Sequence, residues 1–73
     1  MSLQERLCLL AYIEKHIAEG HAHIAKMQLI VADGERQRFD MTEAKLLLTE
    51  FLAAQASRQA HRKQVLAELG RAV

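Results

Sequence analysis

Proline and tryptophan are absent from this 73-residue chain, and cysteine occurs once, at Cys8. With no proline, nothing along the chain breaks a helix by ring clash or a missing N–H. One cysteine excludes an intrachain disulfide, the usual staple of a small secreted scaffold. In its apolar stretch Cys8 reads as a small buried hydrophobe with an inert thiol. Long apolar runs are missing too: the longest, Leu7 to Ile13, is far too short to span a bilayer. Acidic and polar residues in Met1–Arg6 stand where a signal peptide needs an apolar core. Charge of one sign is also lacking, because the net value of +1 leaves little field to capture nucleic acid or an anionic membrane. These absences point to a soluble, cytoplasmic protein without a membrane segment.

Alanine, leucine, glutamate, glutamine, lysine and arginine dominate what is present, and β-branched residues are sparse. That is the composition of an all-α chain. Ser2 followed by Glu5 has the spacing of a capping box. The helical pattern then runs, interrupted only by Gly20, to Asp33-Gly34, where a glycine could adopt the left-handed conformation that ends a helix. Asp40 and Glu43 repeat the capping-box spacing, with Phe39 ahead of the cap, and Gly70 offers the next stop. The expected organisation is one domain over 1–73, with a helix at 2–33, a connector at 34–40 and a helix at 41–69. Each helix would be on the order of 45 Å long.

Leu3, Leu10, Ile17, Ile24 and Val31 recur every seven residues, and Ile13, Gly20 and Met27 fill the complementary heptad position, with Arg6 as the exception. This repeat is the signature of knobs-into-holes packing. The second helix is less regular. Apolar blocks at Leu47–Leu52 and Val65–Leu69 flank a polar stretch, Gln55–Gln64, in which only alanines can face a core. Folding the chain back antiparallel sets Val31 near Ala44, Ile24 near Phe51, Ile17 near Arg58 and Leu10 near Val65. Gly20 then lies opposite Ala54, Gln55 and Ala56, a lean waist where the helix axes can approach closely. A chain this short buries only roughly 60% of its unfolded surface. Two helices make no layered core, so the fold expected is an antiparallel two-helix hairpin that dimerises into a four-helix bundle. Leu7, Leu10, Tyr12, Ile13, Ile17, Gly20 and Ile24 are the expected partner-contacting residues.

Chemistry is harder to find. His16, His21, His23 and His61 all map to the waist, but a metal held on a helix wants ligands three or four residues apart. His21 and His23 are two apart and diverge around the axis. Ser57 stands four residues before His61, yet no acid follows to orient the imidazole. No glycine-rich phosphate loop is present. The expectation is therefore no catalytic residue, no cofactor and no metal. Residues 2–33 carry three basic and four acidic groups, net −1, whereas residues 41–73 carry five basic and three acidic, net +2. Arg58, Arg62 and Lys63 could present a basic strip to RNA or DNA, although no aromatic residue interleaves them for base stacking.

His23-Ile24, Asp33-Gly34, Thr42-Glu43-Ala44 with Leu47-Leu48, and His61-Arg62 followed by Val65-Leu66-Ala67-Glu68-Leu69 carry a resemblance. On these residues the chain resembles a loose set of short bacterial helical-hairpin proteins with no assigned activity. Its architecture is also similar to that of Rop, a small RNA-binding dimer of two-helix hairpins. The function expected is a non-enzymatic interaction module, regulatory or structural, working as a homodimeric bundle. The alternative is a small nucleic-acid-binding dimer that uses the basic strip.

Overall fold

The computed structural model describes residues 1–72, with only the backbone of Ala72. Two helices, α1 (Leu3–Arg36) and α2 (Thr42–Ala72), pack antiparallel against each other and no strand occurs among the described residues. The molecule is a rod of 54 × 14 × 14 Å. No helix among the described residues is long and apolar enough to cross a membrane.

The first helix starts as its sequence dictates. Ser2 Oγ accepts the Glu5 backbone N–H at 3.1 Å and the Glu5 carboxylate accepts the Ser2 N–H at 3.4 Å, so the capping box is complete. Its end differs from expectation. Gly34 does not stop the helix, and no glycine has a positive φ. Arg38 takes that conformation instead (φ 63°), with Gln37 as the C-cap. The Phe39 N–H donates to the Gly34 carbonyl at 2.9 Å and the Arg38 N–H to the Glu35 carbonyl at 3.0 Å, the paired bonds of a Schellman motif. The Asp33 carboxylate, accepting from Arg36 and from the Gln37 side chain, holds the last turn helical. Gly34 is buried for another reason: the Met41 side chain lies against it, where an added Cβ would come within 2.9 Å of Met41 Cγ.

The second helix begins at Thr42, later than the expected 41, because the Met41 carbonyl accepts the Lys45 N–H. Asp40 does not form a capping box with Glu43. Its carboxylate accepts the Thr42 hydroxyl at 2.6 Å and the Thr42 N–H at 3.0 Å. At the far end α2 runs through Gly70, past the expected stop at Leu69. One helical glycine costs only about 1 kcal/mol relative to alanine and does not end a helix unaided.

Both helices meet along an alternating three-four spacing. On α1 the seam holds Leu10, Ile13, Ile17, Gly20, Ile24, Met27, Val31 and Gly34, and it includes the apparent exception Arg6. On α2 the same spacing runs unbroken through Met41, Ala44, Leu48, Phe51, Gln55, Arg58, Arg62, Val65 and Leu69, every one buried or half-buried. The middle of α2 corrects the expectation that alanines would face the core. Ala56 and Ala60 are exposed, while Gln55, Arg58 and Arg62 occupy the seam. Continuing the spacing from Phe51 to Val65 lands on those three polar residues, which hid the repeat. Cys8 is likewise exposed and not buried, since the seam passes through Arg6 and Leu10 and turns Cys8 outward.

The antiparallel register is the one expected. Gln55 donates to the Ile17 carbonyl at 2.7 Å, Arg62 reaches Glu14 at 3.2 Å, and the His23 and Phe51 rings meet at 4.5 Å. At the open end Ile13, Val65 and Leu69 form a core cluster, with Leu9, Leu10 and Ile17 packed against it. At the waist Gln55 is buried directly over Gly20, where an added Cβ would stand 2.9 Å from Gln55 Cδ. Gly20 thus makes room for a buried polar side chain, where small side chains were expected to face each other.

Two outcomes follow from these contacts. Gly20→Ala gains about 1 kcal/mol of helix propensity but pushes a buried amide off its acceptor, which costs about 1–3 kcal/mol. We expect net destabilisation in the parent chain and stabilisation by about 1 kcal/mol in a Gln55→Ala background, where the space is free. Urea melts of the four proteins would show this reversal of sign, and stabilisation in both backgrounds would refute the contact. Separately, the Thr42 hydroxyl and then the Thr42 N–H hold the Asp40 pKa below its ordinary value. A folded pKa below the unfolded one means that Asp40 adds stability above the ordinary Asp range, and that this is lost as pH falls through the folded pKa. Asp40→Asn should therefore flatten the acid side of the stability profile below about pH 4, and an NMR titration should place the Asp40 midpoint below the ordinary value.

Candidate association surface

A two-helix layer has two broad faces, one on either side of its seam, and here they differ. On one face polar pairs bridge the helices. Arg62 donates to Glu14, the Gln59 amide lies 3.5 Å from His21 Nε2, and Lys45 pairs with Glu35. Lys63 and Leu66 stand beside Arg62, around an open groove of about 480 Å³. Exposed ion pairs of this kind contribute little stability each, but they meet the hydrogen-bonding needs of that face.

The other face is ring-rich and open. Tyr12 and His16 stack at 4.3 Å with a tilt of 56°, and His23 meets Phe51 edge-on. His16 Nδ1 lies 3.7 Å from the Glu19 carboxylate. Two shallow grooves adjoin here. One of about 230 Å³ is lined by His16, Glu19, Gly20, His23, Ile24, Phe51 and Arg58. The other, of about 330 Å³, is lined by Leu9, Tyr12, Ile13, His16, Arg58 and His61. Ile30, seven residues on from His23, and Leu47, four residues before Phe51, extend the stripe towards the connector. Arg58 is common to both grooves. It is half-buried, donates to Gln55 Oε1 at 3.2 Å, and has no carboxylate within ion-pair distance among the described residues.

The residues expected to contact a partner divide between seam and surface. Ile13 and Ile24 are buried within the hairpin, and Leu10, Ile17 and Gly20 are half-buried along the seam. Leu7 and Tyr12 remain exposed, on opposite sides of α1. Leu29 (72% exposed), Leu46 (62%), Ile30, Leu47 and Leu52 add apolar surface that the heptad reading of α1 did not include. Arg58, Arg62 and Lys63 do not form one strip: Arg58 opens on the ring-rich face, while Arg62 and Lys63 line the opposite one. The four histidines divide as well, His16, His23 and His61 on the ring-rich face and His21 across from Gln59. Among the described residues no three His, Cys, Asp or Glu side chains converge as metal ligands. Ser57 and His61 are both exposed, and no hydrogen bond joins them among the described residues. The signal that would have located Gln55 and Arg58 in the seam was the unbroken spacing of α2, concealed by their polarity.

No protein-family model, curated protein or solved structure matches the chain.

Proposed function

We propose that this chain is a self-associating helical-hairpin module, two copies of which close into a four-helix bundle that acts through protein contacts and not through chemistry of its own. One observation carries the reading: the single hairpin exposes too much surface for its mass. Its accessible area is 5591 Å² for an 8.3 kDa chain, whereas a compact monomer of that mass exposes about 4,600 Å². The excess, roughly 1,000 Å², is comparable to the ~800 Å² that each partner buries in a standard protein interface. The radius of gyration makes the same point, at 16.6 Å against about 11 Å for a compact domain of this length.

Interior burial is correspondingly thin. Among the described residues five hydrophobic side chains are buried, and none is covered completely. A core so small seldom stabilises a chain of this size without a staple such as oligomerisation. A nucleic-acid-binding dimer draws no support from the separation of Arg58 from Arg62 and Lys63.

Sedimentation equilibrium at low micromolar concentration should return twice the chain mass, and thermal unfolding should shift upward with protein concentration, as expected when folding and association are linked. A cooperatively folded monomer whose melting temperature ignores concentration would overturn the reading.

A further inference from the structure

We propose that the second copy docks on the ring-rich face, with α1 of one copy lying over α2 of the other, so that Glu19 of each copy meets Arg58 of its partner. This rests on the self-association proposed above and specifies its geometry. The faces are unequal in what burial would require of them. Covering the opposite face would desolvate the Glu14–Arg62 and Glu35–Lys45 pairs, a cost that buried ion pairs often fail to recover, whereas the ring-rich side carries one longer interhelical pair, Arg6–Glu68 at 3.9 Å, near its open end. The ring-rich face instead offers open grooves between Tyr12, His16, His23 and Phe51. At its centre sits the half-buried Arg58 guanidinium, which has no acid within ion-pair distance among the described residues, and such a group is a strong anchor once a carboxylate reaches it.

Charges along the margins of this face choose between the two twofold arrangements open to a pair of layers. The seam register sets Arg58 level with Glu19, Glu50 level with Lys26, and Arg71 level with Glu5. None of these three pairs forms an ion pair within the chain among the described residues. A twofold axis running along the hairpin lays each α1 over the partner's α2 at the same level. It thereby sets acid against base at all three places, each occurring twice by symmetry, against one like-charge place near the connector, where Asp33 comes level with Glu43. A twofold axis across the hairpin lays α1 on the reversed α1 of the partner. That arrangement opposes Glu19 to Glu19 and brings Glu5 towards Asp33, and like charges facing each other across an interface disfavour it.

Charge reversal tests this directly. Glu19→Arg and Arg58→Glu should each weaken the dimer about tenfold or more, read by sedimentation velocity over a concentration series. Mixed in equal amounts, the two variants should form a heterodimer close to wild-type affinity, because one Glu19–Arg58 contact is then native and the other is restored with its signs exchanged. Helix content followed by circular dichroism shows whether a variant unfolds alone, and mixing should recover its helix together with dimer mass. Leu66→Lys, on the opposite face, should leave the dimer intact. Failure of the mixture to associate better than either variant overturns the arrangement, and loss of the Leu66→Lys dimer with Arg58→Glu unaffected overturns the choice of face. A monomeric wild-type protein would instead refute self-association itself.

Discussion

Gln55 lying over Gly20, with its amide donating to the Ile17 carbonyl, is the contact on which the hairpin's alignment depends. Apolar seams are permissive, since one leucine packs about as well in a neighbouring hole as in its own. A buried amide is not permissive, because sliding by a turn would set a side chain where Gly20 leaves the gap through which Gln55 reaches a carbonyl, and a buried amide held off its acceptor is costly. The missing side chain at residue 20 is what admits the amide to the seam. The same placement turns Arg58 towards the ring-rich face, where it donates to Gln55 Oε1 and, among the described residues, has no carboxylate within ion-pair distance. Register, helix proximity and the character of one outer face therefore follow from a single polar residue and the glycine beneath it.

A hairpin with only one seam has no second layer, and this shapes everything outside the seam. Apolar residues such as Tyr12, Leu29 and Leu46 stay in solvent because the opposing helix covers only one stripe of each partner. The two faces have nonetheless diverged. On one, long polar side chains reach across between the helices, as Arg62 does to Glu14 and Lys45 to Glu35. On the other, histidine, tyrosine and phenylalanine rings leave grooves between them. Such asymmetry makes one face a better candidate for burial than the other, and it comes from side chains next to the seam positions together with the seam residues Phe51 and Arg62.

Much of this was legible before any coordinates. The capping box at Ser2 and Glu5 is purely local and formed as its spacing requires. The apolar heptads of α1 marked its seam, and antiparallel return from a short connector supplied the register. Local signals misled where other contacts, some local and some between the helices, claimed the residue instead. Gly34 has the appearance of a helix stop, but the Met41 side chain against it and the Asp33 bonds around it keep it helical, so the left-handed position falls to Arg38. Asp40 has the spacing of a cap, but its carboxylate is already engaged by both donors of Thr42. Cys8 lies among leucines in sequence and yet faces solvent.

By itself, then, the sequence determined the two helices, their antiparallel pairing and the apolar character of the α1 seam, because helix propensity, capping and seven-residue periodicity act over a few neighbouring residues. Only the tertiary structure decided that Gln55, Arg58 and Arg62 would enter the α2 seam, that Gly20 would hold a buried amide, and that the basic residues and histidines would part onto two faces. A polar residue carries no sign of burial in its own identity. Its place is set by the acceptor or the gap that the opposing helix supplies, and those become visible only once the two helices are side by side.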